Sequence, residues 1–256
     1  MNTDFNYSSV ASLIQAAEKN NLPVSALVLS QQAQQIELDE KTVYEKMASN
    51  FQVMKECIEP GCDEHLKSTS GLTGGDAFKL RRYSESGKSL TGSFLSGALY
   101  RALAVSEVKR FHGPYRSCSY CRKLRHPSSC LITMQEEKGC SDHDCVMALF
   151  TASAVGMVIA NNASLAGAQG GCQAECGSAA AMAAAAITEL AGGTPHMVSQ
   201  AVAIALKNIL GLVCDPVAGL VEIPCIKRNA SGVAGAFVAA EIWLLQALTV
   251  RSRLTR

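Results

Sequence analysis

A stretch dominated by alanine in the second half of the chain constrains the fold most. Residues 178–190 are mostly alanine, with Met182, Ile187 and Leu190 as the larger apolar side chains. Alanine is the strongest helix former, and a helix that is apolar on nearly every side is stable when other elements surround it. The glycine pair that follows is typical of a helix end, and Thr194-Pro195 is a typical start for the next helix. The stretch therefore predicts a helix at the centre of a helical protein.

The rest of the chain shows similar helical patterns. Residues 8–58 predict three helices, and the third has Val43, Met47, Phe51 and Met54 on one face. Aromatic residues make up only 5% of the chain, which disfavours a sheet sandwich. Capping residues, prolines and glycine-rich breaks predict helix starts at Ser8-Ser9, Pro23, Asp39 and Asp76, and after Asn229. We therefore predict an all-α, multi-helix fold.

Charge and hydropathy exclude several classes of protein. The formal net charge is +1, so nothing points to nucleic acid or acidic lipid as a partner. The first residues lack a basic stretch followed by an apolar one, so no secretory signal is expected. The most apolar run, 146–160, is too short to span a bilayer and predicts a buried helix. We expect a cytoplasmic protein, in which the eleven cysteines serve metals, redox chemistry or packing rather than disulfides.

Three cysteines occur in breaks rich in glycine or proline: Cys172, Cys214 and Cys225. Iron–sulfur ligands favour such loops, because the backbone must bend around the cluster. Cys172 also precedes the alanine helix, whose N-terminal N–H groups favour a thiolate or a substrate carboxylate. Free cysteine is equally a common core residue, and we expect that role for Cys176. From the residues alone, a metal site and simple burial both remain open. We expect a further pair, Cys57 and Cys62, to be inert.

Residues 68–76 combine hydroxyl groups with paired glycines. Glycine lets backbone N–H groups approach an anion closely, so the segment predicts an anion-binding loop or, equally, a plain turn before a helix. The nearby sequence Gly87-Lys88-Ser89 imitates a phosphate-binding loop. Arg82 occupies the position of the required upstream glycine, so we reject a nucleotide site.

Four motifs of this chain resemble the α-chain of iron–sulfur L-serine dehydratases. The resemblance covers roughly residues 8–111 and 131–242, and the long cysteine motif is highly specific. The motifs are Leu72-Thr73-Gly74-Gly75-Asp76-Ala77, Gly170-Gly171-Cys172-Gln173-Ala174-Glu175, the stretch 214–225 from Cys-Asp-Pro to Ile-Pro-Cys, and Lys227-Arg228-Asn229-Ala230. The resemblance implies that residues 1–256 are a serine dehydratase α-chain catalytic domain.

The resemblance also implies a chemistry. Cys172, Cys214 and Cys225 would hold a [4Fe-4S] cluster, one iron of which has no cysteine from this trio. That iron would act as a Lewis acid in the conversion of L-serine to pyruvate and ammonia, without pyridoxal phosphate. The substrate-binding residues would be Ser68, Ser70, Thr73, Gly74, Gly75 and Asp76. A separate regulatory β-chain and a homo- or hetero-oligomer are expected. A related lyase acting on L-cysteine or another hydroxy amino acid is the neighbouring alternative.

The residues leave the general base open. His65, Asp76, Lys79 and His196 are candidates, and for His196, at the start of a helix after Pro195, we favour a surface position.

Residues 113–130 depart from the family pattern. They are basic and cysteine-rich, where the family has a segment approximating Gly-Arg-Ile-Val-Ala-Ala-Pro-Thr-Ala-Gly-Ser-Cys-Gly-Ile-Leu-Pro-Ala-Val. Codons for these residues, read one base later, permit the family residue at every position. We therefore expect two compensating frame errors around a loop near the substrate, an idea that resequencing the locus would test. The alternative is a zinc-binding module built from Cys118, Cys121, Cys130 and His126.

The end of the chain behaves in the same way. Codons for 243–256, read two bases later, permit the family's continuation, so we expect a third frame error and a missing C-terminal portion. An inactive truncated fragment, with the apolar faces of Val233–Leu245 exposed, is the corresponding alternative.

Overall fold

The computed structural model describes residues 7–108 and 125–254, and within these ranges the regular structure is helical. Beside the helices there is one isolated β-bridge, between Val217 and Leu220. The predicted all-α fold is therefore confirmed. The helices are α1 (Val10–Asn20), α2 (Val24–Gln35), α3 (Glu40–Glu56), α4 (Ile58–Gly61), α5 (Asp76–Glu85), α6 (Gly92–Val108), α7 (Arg125–Lys138), α8 (Asp142–Asn162), α9 (Gly167–Cys172), α10 (Ser178–Leu190), α11 (Pro195–Ile209) and α12 (Ile223–Leu254).

The alanine helix α10 lies at the centre of the fold, as predicted. It packs against α7, α8, α11 and α12, and every residue from Ser178 to Thr188 is buried. Small side chains let these four neighbours approach the same helix closely, and each neighbour supplies the larger apolar groups that fill the gaps. The core of the protein is thus built around a helix with little side-chain volume of its own.

Local capping explains where several helices begin. Ser9 caps α1 by a reciprocal bond with Ser12, and Asp39 caps α3 by accepting from the backbone N–H of Thr42 at 2.8 Å. Thr194 caps α11, with Pro195 at the first helical position. These side chains satisfy N–H groups that have no partner inside the helix. The predicted starts of these three helices are therefore confirmed.

Helix α8 contains the most apolar run of the sequence. Among the described residues it is long and apolar enough to cross a membrane, but 61% of its apolar window is buried inside the protein. It packs against α2, α3 and α10. A core helix passes the same test of length and composition, and the prediction of a buried helix agrees with this packing.

Two boundaries differ from the sequence prediction. The last helix, α12, begins at Ile223 and not after Asn229, because Pro224 falls in the first turn, where its missing N–H costs nothing. Residues 125–130, predicted to belong to a loop, form the start of α7, whereas 109–124 lie outside the described residues. A π-helical turn, Gln173–Gly177, joins α9 to α10.

Candidate active site

The segments that carry Cys172 and Cys214 lie side by side. The backbone N–H of Gln173 donates to the carbonyl oxygen of Leu212 at 2.8 Å, and the N–H of Gly211 donates to Oε1 of Gln173 at 2.8 Å. Gly171 has a φ of 75°, and a Cβ there would lie 3.3 Å from the nitrogen of Cys214. A glycine is needed at this position for both its conformation and its close approach. Cys172 lies at the end of α9 and not in the predicted open loop. The backbone bends at Gly171, which has a non-helical conformation inside this short helix.

Arg228 brings α12 to the same place. Its Nη1 donates to Sγ of Cys172 at 2.9 Å and to the carbonyl oxygen of Val213 at 2.8 Å. Its Nη2 lies 3.5 Å from a carboxylate oxygen of Asp215. Cys225 lies three residues earlier, in the first turn of the same helix rather than in the predicted break. One guanidinium therefore connects the segments of all three predicted ligands.

The three thiols fit a cluster in donor chemistry and differ in exposure. Cys172 is buried, Cys225 is partly buried and Cys214 is exposed. Among the described residues, no three His, Cys, Asp or Glu side chains form a group that could hold a metal ion. An iron–sulfur cluster is larger than a single ion, and its cysteines bind different irons around it. Convergence of the segments is thus the feature that fits the cluster that the resemblance implies.

The hydroxyl-rich loop 68–76 is tied to the start of α12 by Glu222. This carboxylate accepts hydrogen bonds from the hydroxyls of Ser70, at 2.7 Å, and of Thr73. Ser68 closes the loop, because its N–H donates to the carbonyl oxygen of Thr73 at 2.8 Å and its Oγ lies 2.9 Å from that of Ser70. Glu222 is only 6% exposed and directly precedes Ile223. The loop and the turn that bears Cys225 are therefore neighbours.

The glycine pair of this loop forms a turn before a helix, the second of the two predicted alternatives. Gly75 has a φ of 74° and leads into α5, whose first N–H groups, of Asp76 and Ala77, lie 3.1 and 3.5 Å from the carboxylate of Glu107. Glu107 is fully buried, and burial raises the pKa of its carboxyl, while the N–H groups that it accepts from oppose that rise. The chain's own carboxylate thus fills the expected anion site. No local sequence pattern points to Glu107.

The motif Lys227-Arg228-Asn229 binds distant parts of the chain to the start of α12. Lys227 forms an ion pair with Asp76, which also lies 3.7 Å from Lys79. The amide of Asn229 donates to Oγ of Ser106, near the end of α6, at 2.8 Å. Together with the bonds of Arg228 to the cysteine segments, these contacts fix three parts of the chain to one helical turn.

Two cavities open beside these residues. One of about 500 Å³ is lined by Ser68, Thr69, Ser70, Leu220 and Glu222. The structure thus places two of the predicted substrate residues in this cavity, whereas Thr73, Gly74, Gly75 and Asp76 lie outside its lining. The other cavity, of about 650 Å³, lies between α8 and the π-helical turn, and its polar lining includes His126, Ser164, Glu175, Ser178 and Asn229.

The four candidate bases are exposed at the surface or already engaged in ion pairs. His65 is exposed and pairs with Glu64 at 3.3 Å, and His196 is exposed with its ring 5.9 Å from that of Trp243. Asp76 and Lys79 are engaged with each other as described above. The surface position predicted for His196 is therefore confirmed.

Three of the other described cysteines, Cys57, Cys62 and Cys176, are buried packing residues. Burial raises the pKa of Cys62 to about 11 and also raises that of Cys57, which agrees with the expectation that both are inert. Cys176 is buried, as expected of a small core residue.

Two of the four residues of the predicted zinc module, His126 and Cys130, lie within the described part of the chain. Cys130 is fully buried in the apolar core on α7, and burial raises the pKa of its thiol well above the usual range. His126 is buried on the same helix. Cys118 and Cys121 lie outside the described residues.

Comparison with known proteins places these features in a family context. The family model of the serine dehydratase alpha chain matches residues 19–253. The chain is 43% identical to a probable L-serine dehydratase alpha chain of Bacillus subtilis, over 93% of this chain and 79% of that one. It is 34% identical to the L-serine dehydratase alpha chain of Peptoniphilus asaccharolyticus, over 91% of this chain and 80% of that one. An L-serine dehydratase of Streptomyces coelicolor is 32% identical over 90% of this chain and 50% of that protein.

Proposed function

Because the chain belongs to the serine dehydratase alpha-chain family, we propose that it is an L-serine ammonia-lyase that converts L-serine to pyruvate and ammonia. The names of its relatives support this activity. The observation that carries the proposal structurally is the position of Glu222, which ties the hydroxyl-rich loop to the helical turn that bears Cys225. A loop suited to a small polar substrate is thereby held beside the cysteine segments.

The cofactor of this proposal is a [4Fe-4S] cluster, and the residues that would hold it are Cys172, Cys214 and Cys225. When bound, the cluster supplies a Lewis acid that favours departure of the substrate's β-hydroxyl group. The convergence of the three segments on Arg228 supports this assignment. We propose a cytoplasmic location on the same basis, since such clusters and free thiols persist in a reducing compartment.

The cavity of about 500 Å³ suits the zwitterion of serine. The hydroxyl of Ser68 can donate to the substrate carboxylate, and the Glu222 carboxylate can accept from its ammonium group. Thr73 and Ser70 orient Glu222 for this role. Loss of the α-proton and of the β-hydroxyl as water then gives an aminoacrylate, which tautomerises to the imine and hydrolyses to pyruvate and ammonia.

Anaerobic reconstitution with iron and sulfide tests the proposal. We expect about four irons per chain, as a [4Fe-4S] cluster requires, and pyruvate release from L-serine after addition of a candidate β-chain encoded beside it. Replacing Cys172, Cys214 or Cys225 by serine should lower the iron content, whereas Cys140→Ser, between α7 and α8 and outside the three segments, should leave it unchanged.

Three outcomes would contradict the proposal in different ways. If the wild-type chain takes up no cluster, and stoichiometric zinc remains bound after all three replacements, the protein would instead be the zinc-binding module. Release of sulfide from L-cysteine without pyruvate from L-serine would shift the substrate. Incorporation of a cluster without any turnover would leave the cofactor in place and refute the activity.

A further inference from the structure

Arg228 makes three contacts with the segments that carry Cys172 and Cys214. It bonds to Sγ of Cys172 and to Val213, and it reaches Asp215, so its partners flank Cys214 on both sides. Its own helix carries Cys225 one turn earlier. The side chain is only 18% exposed, so these bonds are formed in a partly desolvated place.

We propose that Arg228 is a positioning residue that aligns the three cysteine segments before the cluster is inserted. The inference rests on the proposed function, in that it takes Cys172, Cys214 and Cys225 as the ligands. A chain without its cluster has no metal to hold these segments together. A partly buried guanidinium that bonds a thiol and a carbonyl on two different segments supplies that order in advance.

The shape of the side chain explains why an arginine stands here. The guanidinium is planar with five donors in a fixed fork, so a single Nη1 can donate to both Cys172 and Val213 while Nη2 points to Asp215. A lysine would supply one compact charge and fewer directed bonds. Gln173 joins two of the segments by a backbone bond to Leu212 and a side-chain bond from Gly211, and Arg228 adds α12 to them.

Variants of Arg228 separate this role from general stability. Arg228→Met removes the donors but keeps much of the apolar stem, and Arg228→Lys keeps the charge. Arg82→Met, at an exposed position on α5, is the matched control. In cluster-free protein, we expect amide hydrogen exchange in peptides covering 170–174 and 211–215 to become roughly tenfold faster in Arg228→Met, intermediate in Arg228→Lys and unchanged in the control.

A second readout follows cluster assembly itself. At limiting iron and sulfide, the visible absorption band should grow roughly tenfold more slowly in Arg228→Met and partly recover in Arg228→Lys. Exchange and assembly at wild-type rates in Arg228→Met would overturn the inference. If the wild-type chain takes up no cluster, the proposed function fails by itself, and the exchange data still decide: faster exchange confined to the two segments supports alignment by Arg228, and unchanged exchange overturns it. If Arg228→Met does not fold, Arg228→Lys is read by the same criteria.

Discussion

Replacing Glu222 by alanine removes the carboxylate that holds the hydroxyl-rich loop. Thr73 is buried, and a buried hydrogen bond to a charged group contributes about 1.5–3 kcal/mol. Ser70 is exposed and can turn to water, so its bond contributes about 0.5–1.5 kcal/mol. The two together give a loss of roughly 3 kcal/mol. In a domain of this size, 1 kcal/mol shifts the melting temperature by about 2–4 °C, so we expect Glu222→Ala to melt roughly 6–12 °C lower.

The assay is thermal unfolding of cluster-free protein followed by circular dichroism. Glu222→Gln keeps one oxygen that can accept, so it should lose about half as much as Glu222→Ala. Glu241→Ala, at an exposed position on the same helix, is the matched control and should melt like the wild type. Equal melting temperatures for Glu222→Ala and Glu241→Ala would refute the network between the loop and α12.

Three further predictions follow from other contacts. Gly74→Ala should destabilise the protein by about 2–6 kcal/mol in denaturant titrations, because a Cβ there collides with a main-chain carbonyl at a positive φ, whereas Gly71→Ala, with open space around it, should cost about 1 kcal/mol. In native cluster-free protein, Cys214 is exposed and should react readily with iodoacetamide, whereas Cys145, whose pKa burial raises to about 12, should react only on unfolding, as mass spectrometry of the alkylated peptides would show. Burial raises the pKa of Glu107, so its contribution to stability is complete below its unfolded value, near 4.5, and is lost as pH rises through the folded value; Glu107→Gln should remove this pH dependence from unfolding free energies measured between pH 4.5 and 7.

The parts of the fold that local chemistry determines could be predicted from the sequence. The alanine content of α10 reports an apolar environment on all sides of one helix, and its central position follows. Ser9, Asp39 and Thr194 are capping residues whose partners lie three positions away, so their role is visible without tertiary structure. The predicted start of α12 is wrong because a proline occurs both in helix breaks and in the first turn of a helix, and no local pattern around Pro224 distinguishes the two.

The site was only partly predictable because its contacts join distant parts of the chain. Glu222 lies 149 positions from Thr73, and no periodicity connects the two. A signal for Glu222 existed, since it is an acidic residue inside a largely apolar motif bounded by two cysteines. Glu107 ends an ordinary apolar helix and bonds a turn that precedes it by some thirty residues. Only the fold shows that it fills the anion site that the glycine pair suggested.

The contacts made at the start of α12 affect the order in which the protein can assemble during translation. The hydroxyl-rich loop is translated about 150 residues before its partners Glu222 and Lys227. At ordinary elongation rates the loop waits roughly 8–30 s for them. Arg228 likewise follows Cys172 in the chain by 56 residues, so the bond between them also forms after a delay, although a shorter one. Iron delivered to the nascent chain before Arg228 has been made would therefore meet thiols without their scaffold, so ordered insertion of a cluster has to wait for α12 to fold onto the cysteine segments.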